Sequence, residues 1–243
     1  MKKTAIITGA SRGIGKAIAE ALAKEGYHLA LFCHKNMDLL QKLAENLSNE
    51  YHIQVYTYCG DIADSDFTIA SCKDALEKLG QVDVLVNNAG KASIGLLTDM
   101  SVDDWDSMIG TNLSPLFYTS KVVVPAMVSK KSGSIINISS MWGTVGASCE
   151  VAYSATKGGV NSFTKALAKE LAPNGISVNA IACGVVDTDM NSQLSPEEKS
   201  ELAQEIPAGK FCLPEEIAQV VLSIINAPSY MTGQIIGVDG GYI

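Results

Sequence analysis

The chain has 243 residues, of which 47% are hydrophobic and 18% charged, and its 18 basic and 26 acidic residues give a net charge of −8. This composition is typical of a compact globular protein and excludes disordered and collagen-like chains. No basic run is longer than two residues, as at Lys130-Lys131. That run is too short to form the basic stripe that binds phosphate backbones, so we expect no nucleic acid partner. One α/β domain spanning residues 1–243 fits this length.

Cysteines, histidines and the amino terminus also limit the class of protein. The six cysteines are far apart and form no C-x-x-C pair, and the three histidines lack metal-ligand spacing, so we expect neither a disulfide framework nor a metal site. The apolar stretch after Met1-Lys2-Lys3 ends at Gly9, which is too short for a signal peptide or a membrane span. The sequence therefore predicts a cytoplasmic protein with no membrane partner.

Short β-branched runs alternate with longer segments that have apolar residues at helical spacing. Strands that are apolar on both faces and separated by helices predict a doubly wound parallel sheet with helices on both faces. About seven strands are predicted, at Thr4–Thr8, Leu29–Cys33, Ile53–Tyr58, Val82–Val86, Ser134–Ile138, Ser177–Ile181 and Ile235–Val238.

A polar segment at about 186–213 interrupts this alternation. Ser195-Pro196 has the residues of a helix N-cap and first turn, and Ile206-Pro207 ends that helix. A long insertion near the carboxyl edge of a parallel sheet is often a lid over a ligand, and we predict a substrate lid here. The alternative is a variable surface loop.

A glycine-rich turn follows the first predicted strand and runs into a helix. In Thr8-Gly9-Ala10-Ser11-Arg12-Gly13-Ile14-Gly15, Gly9 permits a tight turn, Gly13 lets the backbone approach a pyrophosphate, and Gly15 allows close helix–strand packing. The helix N-terminus then offers free N–H groups to the phosphates. The strand–turn–helix context indicates a dinucleotide site.

The end of the second strand indicates which dinucleotide is bound. An NAD site requires a carboxylate there to accept a hydrogen bond from the ribose 2′-hydroxyl, but Cys33 occupies that place. Arg12, His34 and Lys35 lie nearby in the sequence pattern and would attract a 2′-phosphate. We therefore predict a preference for NADP(H). The alternative is that Lys35 is a solvated loop residue and Arg12 only caps the turn.

Tyr153 and Lys157 stand four residues apart at the start of a helical stretch, which places the phenol and the ammonium on one face. A neighbouring ammonium stabilises phenolate and brings the tyrosine pKa towards the working range of an acid–base catalyst. Ser139-Ser140 ends the fifth strand and adds a hydroxyl at the same sheet edge.

At this point the sequence resembles the short-chain dehydrogenase/reductase family over nearly its whole length, which implies a Rossmann-type fold. The Gly9–Gly15 turn, Asn87-Asn88-Ala89-Gly90 and Val186-Asp187-Thr188 match the family's cofactor segments, with Asp61 matching its adenine contact. The resemblance implies a catalytic tetrad of Asn112, Ser140, Tyr153 and Lys157. It implies cofactor contacts at Gly9, Ser11, Arg12, Gly13, Ile14, Gly15, His34, Lys35, Asp61, Ile62, Asn88, Ala89, Gly90, Tyr153, Lys157, Gly184, Val186 and Thr188.

The implied reaction is hydride transfer from NADPH to a carbonyl carbon, with Tyr153 protonating the oxygen that Ser140 binds. Lys157 would lower the Tyr153 pKa and bind the nicotinamide ribose, and Asn112 would hold a relay water. Two residues depart from the family pattern: Cys183 replaces a usual proline, and Gly110 replaces a frequent aspartate. Relatives are commonly homotetramers built on helices at about 101–130 and 153–172.

Within the family, the chain most resembles 3-oxoacyl-[acyl-carrier-protein] reductases, which bind their carrier through basic residues near positions 131 and 174. Lys131 fits that pattern and Asn174 does not. The loop at 141–151 resembles a subgroup similar to elongation factor P 5-aminopentanone reductases, in which Glu150 would pair with a substrate ammonium and Met141 and Trp142 would line the pocket. The alternative is that Glu150 faces solvent and Trp142 packs under the lid.

Two further functions are considered as alternatives. Oxidation of a steroid or sugar alcohol ranks third, because such enzymes often use NAD and an aspartate at the strand end. A cofactor-sensing module on the same fold is the alternative outside enzymes. Such modules typically lose members of the tetrad, whereas this chain has all four.

Overall fold

The computed structural model describes residues 2–192 and 194–243. Its centre is one seven-stranded parallel sheet with the strand order β3-β2-β1-β4-β5-β6-β7. The strands are β1 (Thr4–Ile7), β2 (His28–Cys33), β3 (Val55–Cys59), β4 (Val84–Asn87), β5 (Gly133–Ser140), β6 (Ile176–Cys183) and β7 (Ile235–Val238).

Helices fill the connections between these strands. They are α1 (Gly13–Lys24), α2 (Met37–Tyr51), α3 (Ser65–Leu79), α4 (Val102–Asn112), α5 (Ser114–Lys130), α6 (Trp142–Val145), α7 (Val151–Leu171), α8 (Pro196–Glu205) and α9 (Pro214–Ile225). Short 3-10 segments occur at Leu97–Asp99, Ala172–Asn174 and Asp189–Asn191.

Alternate strand residues face opposite layers of the core. Ile7 and Leu31 pack in one hydrophobic cluster with side chains of α1, α2 and α9, such as Leu22. Ile6 and Phe32 pack in the other cluster with side chains of α3, α5 and α7. Both faces of the sheet are covered, as a parallel sheet requires. The predicted doubly wound α/β fold in a single domain is confirmed.

Strand ends differ from the prediction by a few residues. β3 begins at Val55 rather than Ile53, because His52 adopts a left-handed conformation with φ of 52° and starts a turn that Ser48 closes by donating to the Ile53 carbonyl. Ile53 is buried in that turn, so an apolar residue looked like part of the strand. β5 and β6 run further than predicted and end in register at Ser140 and Cys183.

The strand order reverses between β1 and β4, which are neighbours in the sheet although three strands apart in sequence. Ligands of open parallel sheets bind in the crevice at the carboxyl ends of the strands that flank such a reversal. The turn after β1 and the loop after β4 therefore mark the expected site.

The two ends of the polar segment that was predicted as a lid lie side by side after β6. Val186 and Cys212 form a parallel bridge, reinforced by hydrogen bonds from Cys212 N to Val185 O and from Asp187 N to Cys212 O. Between them, α8 begins at Pro196, and Ser195 and Glu198 form a reciprocal capping box. No residue of α8 is buried, so this helix lies against the surface rather than within the core.

Candidate active site

The glycine-rich turn after β1 leaves no room for a side chain at Gly9 or Gly15. A Cβ atom on Gly15 would lie 2.2 Å from the Gly9 carbonyl oxygen, and one on Gly9 would lie 2.9 Å from the Ala89 Cα. Gly9 and Gly13 also have positive φ values of 68° and 54°. The turn therefore requires glycine for its backbone shape and for the close contact with the loop after β4.

That loop is held against the turn by direct hydrogen bonds. The Thr8 hydroxyl accepts from the Asn88 and Ala89 main-chain N–H groups at 2.9 and 3.0 Å, and the Asn88 amide donates to the Thr8 and Gly9 carbonyl oxygens. These bonds fix the floor of the crevice. Asn88, Ala89 and Gly90 thus lie where the resemblance implies a cofactor, although the role of Thr8 was not predicted.

The amino terminus of α1 is open towards the crevice. Arg12 is the N-cap residue and its side chain makes no capping hydrogen bond, so the first N–H groups of the helix are not capped by that side chain. A helix N-terminus without a side-chain cap, preceded by a glycine cradle, fits a pyrophosphate. Ser11, Gly13 and Ile14 are half-buried along this surface.

The adenosine end of the expected site lies at the carboxyl ends of β2 and β3. Cys33 is buried, while His34 and Lys35 are exposed immediately after it. The His34 imidazole lies 4.0 Å from the exposed Asp61 carboxylate, and Ile62 behind it is buried. The structure therefore brings the predicted 2′-phosphate and adenine contacts to one surface.

Ser140, Tyr153 and Lys157 converge at the other side of the crevice. Ser140 ends β5, whereas Tyr153 and Lys157 lie one turn apart on α7. The Ser140 hydroxyl lies near enough to Tyr153 to influence its pKa, and the Lys157 Nζ lies 5.6 Å from the centroid of the Tyr153 ring. Burial raises the Tyr153 pKa above its ordinary value, and the Ser140 hydrogen bond partly offsets this effect. Tyr153 is therefore a neutral phenol at neutral pH.

Lys157 is 4% exposed, and its Nζ donates to the Ile138 carbonyl oxygen at 2.8 Å. Burial lowers the Lys157 pKa to about 8. A Cβ atom on Gly90 would lie 3.7 Å from this Nζ and 3.4 Å from the Asn112 Oδ1. Gly90 therefore separates Lys157 from Asn112 without filling the space between them.

Asn112 ends α4, and its side chain binds the backbone of Lys91 in the loop after β4. Its Oδ1 accepts from the Lys91 main-chain N–H at 2.9 Å, and its Nδ2 donates to the Lys91 carbonyl oxygen at 2.8 Å. The same Nδ2 lies 3.2 Å from the Thr156 hydroxyl on α7. The amide is thus committed to fixing the loop after Gly90, a role that the sequence did not predict.

Cys183 stands beside Ser140 in the β5–β6 register and is buried. Burial raises the Cys183 thiol pKa to about 12, so the group is uncharged. The Cys183 carbonyl accepts from the Met141 main-chain N–H at 2.9 Å, and a Cβ atom on the following Gly184 would lie 2.6 Å from the Asp239 Cα. This wall of the site is closely packed without the usual proline.

The predicted substrate residues divide into two groups. Met141 is buried, so its side chain does not line an open pocket, contrary to our expectation, because it occupies the turn between β5 and α6. Trp142 and Glu150 are half-buried, and the Trp142 indole lies near enough to the Glu150 carboxyl group to influence its pKa. Burial raises the Glu150 pKa, and the indole N–H partly offsets this effect.

The carboxyl terminus and α8 meet the same corner. The Trp142 and Tyr242 rings pack edge to face with centroids 5.8 Å apart, and the Tyr242 hydroxyl donates to the Glu205 carboxylate at 3.0 Å. Trp142 therefore packs beside the end of the predicted lid, as the alternative expected. Glu150 is half-buried, whereas that alternative placed it in open solvent.

The beginning of the lid segment lies across the glycine turn. A Cβ atom on Gly13 would lie 3.2 Å from the Thr188 Cγ2, and the Arg12 guanidinium pairs with the Asp189 carboxylate at 3.3 Å. Val186 is buried next to the bridge with Cys212. Asp189 was not singled out from the sequence, because nothing local signals a partner 177 residues away.

Lys131 and Asn174 are the two positions at which relatives bind a carrier protein, and they lie at the opposite edge of the sheet from Ser140. They precede β5 and β6, where a Cβ atom on Gly175 would lie 3.1 Å from the Lys131 carbonyl oxygen. Because β5 spans seven residue steps from Gly133 to Ser140, this edge is about 23 Å from the catalytic edge of the same protomer.

Within the residues that the structure describes, no group of three His, Cys, Asp or Glu side chains is arranged to hold a metal ion. The described helices include none that is both long and apolar enough to cross a membrane.

Comparisons with known proteins agree with this geometry. Residues 3–199 match the family model described as short chain dehydrogenase. The chain is 43% identical to an uncharacterized oxidoreductase, YmfI, of Bacillus subtilis, covering 100% of this chain and 99% of the relative. It is 40% identical to the 3-oxoacyl-[acyl-carrier-protein] reductase of Thermotoga maritima, covering 99% of this chain and 98% of that relative.

Two solved structures share the whole fold. One is YwfH, an NADPH-dependent reductase involved in bacilysin biosynthesis, with a TM-score of 0.94 and 25% identity over 100% of this chain and 99% of that chain. The other is a variant of the actinorhodin polyketide ketoreductase with NADPH, with a TM-score of 0.93 and 33% identity over 99% and 97% of the two chains. From the family model and these full-length relatives, the chain belongs to the short-chain dehydrogenase family of oxidoreductases.

Proposed function

We propose that the protein is an NADPH-dependent reductase that converts a ketone on an acyl chain to an alcohol, with 3-oxoacyl-[acyl-carrier-protein] as its substrate. The observation that carries this proposal is the convergence of Ser140 at the end of β5 with Tyr153 and buried Lys157 on α7, beside the glycine turn. Two hydroxyl groups directed at one point can bind one carbonyl oxygen.

The proposed cofactor fits residues on both sides of the crevice. The Gly9–Gly15 turn and the α1 N-terminus would hold the pyrophosphate, and Arg12, His34 and Lys35 would hold the 2′-phosphate near Asp61 and Ile62. Gly184, Val186 and Thr188 would line the nicotinamide end. Hydride transfer to the carbonyl carbon is the chemistry that bound NADPH supplies.

Tyr153 and Ser140 complete the reduction from the oxygen side. Ser140 donates to the carbonyl oxygen and stabilises the charge that develops there, and Tyr153 donates the proton. Because burial raises the Tyr153 pKa, the phenol carries this proton at neutral pH. The raised pKa also makes Tyr153 a weaker acid, so proton donation by Tyr153 requires help from a neighbouring cation.

Lys157 is that cation. Its Nζ lies near the Tyr153 ring and stabilises the phenolate that forms when the proton leaves. The Asn112 side chain is committed to Lys91, so a relay water beside Lys157 would be held by the Asn112 main-chain carbonyl at the end of α4. This chain of groups would return a proton to Tyr153 from solvent.

An acyl substrate is supported by apolar side chains around the cleft. The Gly95 N–H donates to the Cys149 carbonyl, which holds the loop after β4 against the loop before α7. Ile94 and Leu96 on the first loop, and Val145 on α6, are more than half exposed. Full-length relatives named as 3-oxoacyl-[acyl-carrier-protein] reductases support the same substrate and a place in fatty acid biosynthesis.

The second candidate is a cationic aminoketone, such as the aminopentanone-modified lysine of elongation factor P. The specific observation is Glu150, a half-buried carboxylate that precedes α7 and lies near Trp142. A carboxylate beside an aromatic ring suits a substrate ammonium. An acyl thioester has no positive group for Glu150 to bind.

The oligomer and compartment that we propose are a homotetramer and the cytoplasm. The helices expected to form the interface, α4, α5 and α7, carry exposed apolar side chains such as Val102 and Phe117. Covering them with a second copy would remove this apolar surface from water. Because Lys131 lies about 23 Å from the catalytic edge of its own protomer, a carrier protein bound at Lys131 would deliver its substrate to the catalytic site of another protomer.

The test follows NADPH oxidation with acetoacetyl-[acyl-carrier-protein] and with a cationic aminoketone in parallel, using wild type and Glu150→Gln. NADH and a Glu170→Gln variant, altered on the exposed part of α7, serve as controls. We expect turnover of the acyl substrate that is unchanged in Glu150→Gln. Preference for the aminoketone that is lost in Glu150→Gln would select the second candidate, and NADPH binding without turnover of any ketone would overturn the enzyme assignment.

A further inference from the structure

Two cysteines lie side by side at the adenosine end of the proposed cofactor site. Cys33 ends β2 and Cys59 ends β3, and the two are direct partners in the parallel register. Neither takes part in the reduction described above. Both are free thiols.

The geometry of this pair suits a disulfide. Directly paired residues on neighbouring strands are roughly 4.8 Å apart, within the Cα separation of about 4.4–6.8 Å that disulfides require. Paired residues in a parallel register project from the same face of the sheet, so Cys33 and Cys59 are near neighbours, and Cys59 contributes to the raised pKa of Cys33. No backbone rearrangement is therefore needed to bring the sulfur atoms together.

The two thiols differ in accessibility. Cys59 is exposed, whereas Cys33 is buried, and burial together with contact with Cys59 raises the Cys33 pKa to about 12. An oxidant from solvent therefore meets Cys59 first, and Cys33 lies directly behind it as a resolving thiol. This arrangement of an accessible cysteine with a resolving neighbour is typical of redox-sensitive sites.

Cys59 is also connected to the loop that would read the cofactor. Its Sγ donates to the His34 carbonyl oxygen at 3.3 Å, and the Gly60 N–H donates to the Cys33 carbonyl oxygen at 3.0 Å. A disulfide removes the first of these bonds and replaces it with a covalent link to Cys33. The backbone of His34 then loses one of its supports.

We propose that Cys33 and Cys59 form a reversible disulfide when the protein meets a peroxide, and that this disulfide weakens binding of the 2′-phosphoadenosine end of NADPH. The proposal rests on the cofactor site described under the proposed function. NADPH held by His34 and Lys35 would lie beside Cys59, so peroxide and the cofactor would compete for this end of the site.

The chemistry balances with hydrogen peroxide as the oxidant. The Cys59 sulfur attacks one peroxide oxygen, the O–O bond breaks, and the departing hydroxide takes the thiol proton as water, leaving a sulfenic acid. The Cys33 sulfur then attacks the Cys59 sulfur, the S–O bond breaks, and the hydroxide leaves with the Cys33 proton as a second water. Two thiols lose two electrons and two protons in total, and dithiothreitol reverses the reaction by exchange.

The test uses the full chain, first reduced and then treated with hydrogen peroxide, with and without saturating NADPH. Peptide mapping by mass spectrometry identifies the bridged peptides, and nicotinamide fluorescence measures the NADPH dissociation constant. We expect a Cys33–Cys59 disulfide, a dissociation constant at least tenfold higher after oxidation, recovery with dithiothreitol, and slower oxidation when NADPH is present.

Two variants make the result specific. Cys59→Ser keeps a donor for the His34 carbonyl but cannot form the bridge, so reduced and peroxide-treated samples of this variant should show the same NADPH dissociation constant. Cys149→Ser, which removes a partly exposed cysteine on another loop, should respond as wild type does. Three outcomes would overturn the proposal. They are oxidation of Cys59 without a disulfide, a disulfide between two molecules, and weaker NADPH binding by Cys59→Ser after peroxide treatment. Failure of the reduced protein to bind NADPH would instead contradict the proposed function.

Discussion

The Ser139 hydroxyl donates a hydrogen bond of 2.7 Å to the Asn161 side-chain oxygen. Ser139 immediately precedes Ser140, and Asn161 lies one turn beyond Lys157 on α7. The Asn161 Nδ2 also donates to the Gly143 carbonyl oxygen at 3.1 Å. One buried amide therefore joins the end of β5, α7 and the short helix α6 that begins with Trp142. Asn161 is a positioning residue for the Ser140 hydroxyl in the proposed reaction.

Replacing Asn161 by alanine should lower kcat by about tenfold or more and raise KM for the ketone, with little change in the NADPH dissociation constant. Both effects follow because Ser140 and the Trp142 loop lose a shared support while the glycine turn is untouched. Loss of buried hydrogen bonds should also reduce the free energy of unfolding by about 1–3 kcal/mol. Ser162→Ala, at the neighbouring exposed position, is the control. A fall in stability with an unchanged kcat would mean that Asn161 has only a structural role.

The sequence predicted the fold because its signals are local. Hydrophobic periodicity defined the strands and helices, and the glycines of the Gly9–Gly15 turn required their own backbone conformations. The spacing of Tyr153 and Lys157 placed both on one face of α7. Each of these properties depends on residues only a few positions apart, so it can be read without knowing the tertiary structure.

The rest of the site depends on residues distant in sequence. Asn161 meets Ser139 across 22 positions, and Arg12 meets Asp189 across 177 positions. Cys33 and Cys59 become neighbours only when the β2–β3 register is known. Met141 was predicted as a pocket residue because it lies between Ser140 and Trp142 in the sequence, but the turn after β5 buries its side chain. Asn161 carried a weak signal, since it is four residues after Lys157.

Tyr153→Phe should reduce kcat by about 10²–10⁴-fold, the usual contribution of a positioned general acid. The NADPH dissociation constant should stay within about threefold of wild type, because the ring remains and only the hydroxyl is lost. Single-turnover kinetics and fluorescence titration measure the two effects separately. Tyr230→Phe, at a fully exposed tyrosine, is the matched control. Comparable turnover in Tyr153→Phe and wild type would exclude Tyr153 as the proton donor.

Arg12→Ala should raise the dissociation constant for NADPH by about tenfold and leave that for NADH nearly unchanged. The guanidinium is exposed beside the α1 N-terminus and pairs with Asp189. Asp189 competes for this cation, so Asp189→Asn should tighten NADPH binding while again leaving NADH unaffected. Lys16→Ala removes a nearby exposed cation on α1 and is the control. Equal losses for both cofactors in Arg12→Ala would contradict 2′-phosphate recognition.

The pH dependence of reduction should follow Lys157. Burial lowers the Lys157 pKa to about 8 and raises the Tyr153 pKa, so the phenol keeps its proton while the lysine loses its charge as the pH rises through about 8. The value of kcat/KM should therefore be level below pH 8 and fall above it. Lys157→Arg should be slower at every pH but should lack this fall, because guanidinium stays protonated. A wild-type profile that is level to pH 10 would contradict the assignment.

Lys157→Met should abolish turnover and yet stabilise the folded protein. Lowering the lysine pKa from 10.5 to about 8 corresponds to about 3 kcal/mol against the charged group in the folded state, and loss of the hydrogen bond to the Ile138 carbonyl would return about 1 kcal/mol of this. The net gain of about 2 kcal/mol predicts a Tm higher by roughly 4–8 °C at pH 7.

The difference in Lys157 pKa between the folded and the unfolded chain also determines how the stability gained in Lys157→Met varies with pH. Between pH 8 and 10.5 the unfolded chain holds a proton on Lys157 that the folded chain has released, so wild-type stability rises with pH through this window. The Tm difference between Lys157→Met and wild type should therefore be full below pH 8 and shrink as the pH approaches 10. Lys165→Met, at an exposed position on the same helix, should show no such convergence. A lower Tm for Lys157→Met at pH 7 would show that the buried ammonium stabilises the fold, and that burial does not lower its pKa.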